Sequence, residues 1–185
     1  KCFAICPLAF EYFTCRMNQV CRYTIPHYLA KTNEMTTEQW EAQRGRKENE
    51  PEEQFFKRMV GYLRLYFAIL VVAQNFDEIW MWFARFLNTK PKHRIAPYVL
   101  MAAVETMGFD AYNKFRGQYQ KLMVYIENCY LNLLDDMVRK CPENVQGEVN
   151  RLRIWLGKFK QGQIEKPSGQ QLQADVTDSV HGIKC

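Results

Sequence analysis

Gln54-Phe-Phe-Lys-Arg-Met-Val-Gly-Tyr-Leu-Arg-Leu-Tyr-Phe-Ala-Ile-Leu-Val-Val-Ala73 decides the architecture of this chain. On a helical grid Gln54, Lys57, Gly61, Arg64 and Ala68 fall on one narrow stripe, and nearly every other position is large and apolar. A helix with so thin a wet face must be covered on most sides, so this stretch is expected to be the central post of an all-helical body. Pro51 suits a first helical turn, where its missing N–H costs nothing. Glu52 and Glu53 then meet the positive end of the helix dipole, and Glu53 can pair with Lys57 one turn on. The uncharged run Leu65–Ala73 is far below the roughly 20 residues that span a bilayer, so no membrane insertion is expected.

Working outward, Pro7–Arg22 forms an amphipathic pattern with Leu8, Phe10, Phe13, Met17, Val20 and Cys21 as candidate core, and Ile25, Tyr28 and Leu29 add a short apolar piece. Thr36-Thr37-Glu38-Gln39 fits a capping box, predicting a short helix around Trp40. Eight of the thirteen residues of Glu41–Glu53 are charged, which predicts an exposed loop. Asn75 or Asp77 can cap a helix carrying Ile79, Trp80, Trp82, Phe83, Phe86 and Leu87. Ile95 to Met107 repeats at helical spacing with Gly108 as its expected C-cap. Asp110 is then expected to cap the longest helix, along Phe115, Tyr119, Met123, Ile126, Tyr130 and Leu133. Val145 to Phe159 marks a last helix, stopped near Gly162. The pattern predicts an irregular antiparallel helical-repeat stack of the HEAT or MIF4G kind. Residues 1–160 form its body and 161–185, without an aromatic residue, a disordered tail.

The body carries 23 basic and 17 acidic residues, a moderate excess that suits an anionic partner without demanding nucleic acid. Candidate anion contacts are Lys114 with Lys121, the connector Lys90, Lys92, His93 and Arg94, and Arg151, Arg153, Lys158 and Lys160 on the last helix. The seven cysteines (Cys2, Cys6, Cys15, Cys21, Cys129, Cys141 and Cys185) show no C-x-x-C spacing. Most lie in apolar helical patterns, which reads as buried thiols in a reducing compartment. The chain opens on Lys1 in mid-pattern, as a fragment of a longer protein does.

Catalytic signals are poor. His27, His93 and His181 are scattered, and no phosphate-binding loop, nucleophile elbow or metal-ligand spacing occurs. The carboxylate pair Asp135-Asp136 reads as a solvated face. The expectation is a protein with no enzymatic activity and no metal.

Five blocks carry a family resemblance: Cys21-Arg-Tyr-Thr-Ile-Pro-His-Tyr28, Phe56-Lys-Arg-Met-Val-Gly-Tyr-Leu-Arg-Leu-Tyr-Phe-Ala-Ile69, Trp80-Met-Trp-Phe-Ala-Arg-Phe-Leu-Asn-Thr-Lys-Pro91, Tyr119-Gln-Lys-Leu-Met-Val-Tyr-Ile126 and Arg151-Leu-Arg-Ile-Trp-Leu156. In this order and spacing they resemble the C-terminal domain of the Gle-one type of messenger-RNA export mediator. That family domain has further helices upstream, so the chain is similar to its C-terminal two thirds. The resemblance implies a helical-repeat module at the cytoplasmic face of the nuclear pore complex, present also in cytoplasm and nucleus. It implies binding and stimulation of a DEAD-box RNA-dependent ATPase, with a short Phe-Gly nucleoporin segment as a second partner. In fungal members inositol hexakisphosphate tethers the two proteins through a basic pocket.

By register that pocket corresponds to Arg16 and Lys121, while Gln19 and Val20 stand where the family has a Lys-Lys pair. Charge-assisted hydrogen bonds contribute roughly 1.5–3 kcal/mol each, so their loss predicts inositol phosphate binding weakened by about a hundred- to ten-thousand-fold. The family's ATPase contact corresponds to Asn144, Val145, Gln146, Gly147 and Asn150. The alternative reading is a helical RNA-binding module similar to the middle domain of translation-initiation scaffolds; under the favoured reading the chain does not bind RNA directly.

Overall fold

A computed structural model describes residues 7–26, 32, 34–91, 93–139 and 143–167. All regular structure among them is helical: α1 (Pro7–Val20), α2 (Thr37–Gln43), α3 (Glu52–Val72), α4 (Phe76–Asn88), α5 (Ala96–Phe115), α6 (Gly117–Tyr125), a π-helical turn (Ile126–Tyr130), α7 (Leu131–Val138) and α8 (Glu143–Lys160). Tyr28 and Leu29, His27 and His181, Lys92, Cys2, Cys6, Cys141 and Cys185, and the tail beyond Pro167 lie outside the described residues.

The expected caps form. The Thr36 hydroxyl accepts from Gln39 N while the Gln39 side chain accepts from Thr36 N, closing the box that starts α2. Asn75 caps α4 through Glu78 N. Glu53 pairs with Lys57 at 3.2 Å. Pro51 stands just outside α3 with extended backbone rather than in its first turn.

The central post is not α3. Its buried side is real: Phe55, Phe56, Met59, Leu63, Tyr66, Phe67 and Leu70 are all shielded. Its outer face, however, is wider than the polar stripe, because Leu65 is 48% and Val72 65% exposed. The most fully covered element is α5, where Ala96, Val99, Leu100, Met101, Ala102, Ala103, Val104, Met107, Gly108 and Ala111 are buried. It packs against α3, α4, α6 and α8. Its small residues let four neighbours approach its backbone closely, which a Phe- and Tyr-rich helix such as α3 cannot allow.

That close approach corrects the expected boundary at Gly108. The helix runs through Gly108 and Asp110 to Phe115, so neither residue caps anything. A Cβ on Gly108 would lie 2.8 Å from Trp155 Cζ2 and 3.2 Å from the Tyr119 hydroxyl. Gly108 is therefore a packing glycine. The helix ends instead at Arg116, whose φ of 47° and ψ of −115° interrupt the α conformation. A residue with a Cβ held there costs about 1–3 kcal/mol of strain. The expected longest helix from Asp110 is thus divided among the end of α5, α6, the π turn and α7, and the longest observed helix is α3 with 21 residues. The π turn leaves Ile126, Tyr130 and Leu131 all buried. A π turn makes room for one more residue than a regular helical turn does, so two consecutive side chains reach the core.

Three further expectations change. In α1 only Met17 of the predicted core is buried, with Cys21 just beyond it; Phe10 and Phe13 are partly covered, while Leu8 is 72% and Val20 36% exposed. The charged segment after Trp40 is pinned rather than free. Arg44, 5% exposed, lies 4.6 Å over the Trp40 ring and pairs with Glu41, and Arg58 donates to both Glu50 and the Gly45 carbonyl. Among the described cysteines, Cys15 and Cys129 are exposed and Cys21 is buried, so of these three Cys21 alone fits the expected burial.

The Arg58 hydrogen bonds hold the Glu50 carboxyl below the usual carboxylate range. A carboxylate with a depressed folded-state pKa adds stability above its unfolded pKa and loses it as pH falls through the folded value. Glu50→Gln is accordingly expected to lower the urea midpoint at pH 7 and to leave the chain's stability less dependent on acid. Equal loss at pH 7 and pH 3 would contradict this.

Candidate partner-binding surfaces

The sequence-derived polyanion residues stand on different helices. Arg16 stands on α1, which packs against α3, and its guanidinium donates to Gln19 Oε1 at 2.8 Å. Lys121 is exposed on α6, which packs against α5 and the π turn. Gln19, the residue at the family's basic position, therefore occupies the one arginine that matches. This donor set does not fit an inositol polyphosphate, which needs several convergent cations. Val20 is 36% exposed and Gln19 is on the surface, so lysines at both fit without disturbing the core. Gln19→Lys with Val20→Lys is expected to tighten inositol hexakisphosphate binding by about a hundredfold or more by calorimetry. No gain would show that α1 is not part of an anion site.

The basic face of α8 is largely spoken for. Arg151 bridges Glu105 at 2.7 Å and Glu148 at 2.8 Å, Arg153 holds Asp135, and Lys160 reaches Glu127 at 2.6 Å. Glu105 also accepts from Arg64, so a chain of charges ties α3, α5 and α8 together. Arg153 on Asp135 and Arg139 on Asp136 give each member of the acidic pair a cation, the bland reading of that motif. On the connector, Arg94 pairs with Glu52 at 3.3 Å, and His93 packs at 5.4 Å from Trp40. Exposed pairs of this kind add little stability individually, but they remove these cations from a free row along which RNA could lie.

At the start of α8, Val145 is 2% exposed, which corrects its place among surface contacts. It is a core residue because Val145, Val149, Leu152 and Leu156 follow helical spacing on the side facing the body. Asn144, Gln146 and Asn150 are exposed and Gly147 half-buried. Asn144 Oδ1 accepts from Val145 N and Asn150 Oδ1 from Arg153, so two of the polar side chains are engaged within the helix. The start of α8 presents a small polar patch around Gln146 and Gly147, and a Cβ on Gly147 would meet nothing within 4 Å.

Sequence reasoning missed a groove of about 420 Å³ between the ends of α5 and α8 and the face of α6. Phe109, Tyr112, Met123, Val124, Leu156, Phe159 and Ile164 contribute its apolar lining, and Asn113, Gln120, Glu127 and Lys160 its polar edge. Tyr112 and Phe159 meet edge to face at 5.5 Å, and Trp155 stacks on Phe159 at 5.7 Å. The 3.6-residue period offers one signal: Gln120, Met123, Val124 and Glu127 fall at i, i+3, i+4 and i+7, and Val124, 51% exposed, is an apolar residue on that side outside the core.

The description "GLE1-like protein" belongs to the family model that matches residues 3–127. The chain belongs to this family. The matched stretch runs from before α1 into the π turn, so Arg16 and Lys121 lie inside it and Asn144 to Asn150 beyond it. Named relatives extend the likeness. The chain is 26% identical over 173 residues to the mRNA export factor Gle1 of Drosophila melanogaster, covering 85% of this chain and 25% of that protein. It is 24% identical over 169 residues to mRNA export factor GLE1 of Rattus norvegicus, covering 83% and 24%. The Arabidopsis thaliana protein of that name is 23% identical over 137 residues, covering 69% and 20%. The chain thus spans about a quarter of the length of these GLE1 relatives. Among the described residues no helix is long and apolar enough to cross a membrane.

Proposed function

We propose that the chain is a helical scaffold from a messenger-RNA export factor, acting at the cytoplasmic face of the nuclear pore complex by binding and stimulating a DEAD-box RNA-dependent ATPase. The observation that carries this is membership of the GLE1-like family together with one continuous core running from α1 to α8. A body packed in this way is stiff. A stiff surface can bind one arrangement of a two-lobed partner better than another, and that differential affinity is all that activation requires. The start of α8 around Gln146 offers one contact for the ATPase, and a Phe-Gly nucleoporin segment is a second partner. Inositol hexakisphosphate plays at most a weak tethering role here, because the basic pair is replaced by Gln19 and Val20.

The test is ATPase turnover of purified helicase at fixed RNA, with and without the chain. Stimulation that vanishes with Gln146→Glu and Gly147→Glu supports the reading. Unchanged turnover, combined with a steep salt-dependent affinity of the chain alone for RNA, would replace it with direct RNA binding.

A further inference from the structure

A second, smaller cleft is unused by the function proposed above and independent of it. It lies where the end of α4, the connector after it and the start of α5 meet the segment that follows α1, and its volume is about 60 Å³. A bound water takes roughly 10–15 Å³ on such a measure, so the cleft suits a group of about four to six non-hydrogen atoms and is too small for a polyphosphate. Phe86, Ile95 and Val99 give it an apolar floor. Lys90, one of the connector cations singled out in the sequence, is in its lining, and among the described residues no carboxylate is. Lys90 makes no ion pair among the described residues. The Tyr23 hydroxyl also belongs to the lining; it is buried and has no hydrogen-bond partner among the described residues. Its backbone is held in place, because the Trp82 indole N–H donates to the Tyr23 carbonyl at 3.1 Å. A phenol buried in this way has lost its water and gained no bond in exchange, so the fold carries an unused donor. Arg44, 5% exposed, approaches that hydroxyl without closing a hydrogen bond and opposes the rise in pKa that burial imposes on it. Glu41 acts in the opposite sense but is itself paired with Arg44 and Arg46.

We propose that this cleft binds a carboxylate on a short apolar chain, the size of propionate, with its oxygens on the Tyr23 hydroxyl and the Lys90 ammonium and its chain against Ile95, Val99 and Phe86. A carboxylate accepts from both groups at once, which a neutral carbonyl can do only more weakly. The apolar floor favours a ligand with methylene groups over a bare inorganic anion. Propionate is also the tip of a glutamate side chain, so the same chemistry can arrive as a free acid or on a protein.

The probes are propionate and its neutral isostere propionamide, followed by isoleucine-methyl NMR of the whole chain. Ile95 reports on the cleft, and Ile79, equally buried but outside its lining, serves as control. Propionate is expected to shift Ile95 and not Ile79, and propionamide to bind about tenfold more weakly. Lys90→Met is expected to weaken propionate about tenfold and to leave propionamide unchanged. Tyr23→Phe is expected to weaken both about fivefold without lowering the melting temperature of the free chain, since the hydroxyl it removes makes no bond. That separates loss of the site from loss of the fold. The capped glutamate N-acetyl-glutamate N-methylamide distinguishes the two sources. Binding as tight as that of propionate supports the proposal with a partner's glutamate side chain as ligand; its exclusion while propionate binds supports it with a free acid. No response at Ile95, equal affinity for propionate and propionamide, or binding indifferent to Tyr23→Phe would overturn the proposal. So would displacement of propionate by equal concentrations of inorganic phosphate or inositol hexakisphosphate, which would mark a bare surface cation rather than a shaped cleft.

Discussion

Trp82→Ala is expected to destabilise the chain by about 3–5 kcal/mol, the largest effect of any single truncation here. Trp82 is fully buried and is the largest side chain to be so. Its ring stacks on Phe86 at 5.0 Å and meets Phe67 edge-on at 4.8 Å, joining the two turns of α4 to α3. Its indole N–H donates to the Tyr23 carbonyl at 3.1 Å, across 59 residues of sequence, and so ties the end of the α1 segment to the body. Removal leaves a cavity whose walls are rings with few alternative rotamers, so little collapse can offset it. Trp80 lies two residues away but is only partly covered, against Phe115 at 4.9 Å. Trp80→Ala should cost clearly less. Urea unfolding of the two variants decides the matter; equal shifts in midpoint would mean that the core is not organised around Trp82.

Gly108→Leu is expected to cost about 3 kcal/mol, at the upper end of what overpacking usually does. Glycine in mid-helix gives up roughly 1 kcal/mol of helix propensity relative to alanine, so substitution there should help unless space forbids it. Space forbids it. The Cβ position already falls 2.8 Å and 3.1 Å from two carbons of the Trp155 ring, which stacks on Phe159 and cannot swing away cheaply. The contact makes a coupled expectation. Gly108→Ala in a Trp155→Ala background should lose its penalty and recover part of the propensity gain, a non-additivity of order 1–2 kcal/mol. Additive behaviour in a double-mutant cycle would refute the close approach of α5 and α8.

Much of the fold was legible in the chain because the signals are local. Thr36 with Gln39, Asn75 with Glu78, and the apolar periods of α4 and α8 each act within one or two turns, and each appears where the spacing puts it. The errors share a cause as well. The expectations at Gly108, Asp110 and Pro51 rest on local propensity, and at Gly108 a helix partner outweighs it. Arg44 and Glu50 looked solvated because eight charges stand close in sequence, whereas Arg58 and Trp40 fold that segment down.

Helical class and most element boundaries follow from the sequence by itself, since backbone hydrogen bonding, capping and apolar period are short-range properties. Which helix is central was settled only in three dimensions: α5 has the small residues that let four neighbours close in, a property of the space between helices rather than of any one pattern. The same holds for the groove beside Arg116, whose walls come from α5, α6, α8 and Ile164 beyond it. No stretch of the chain contains that surface; only the packing of distant stretches creates it.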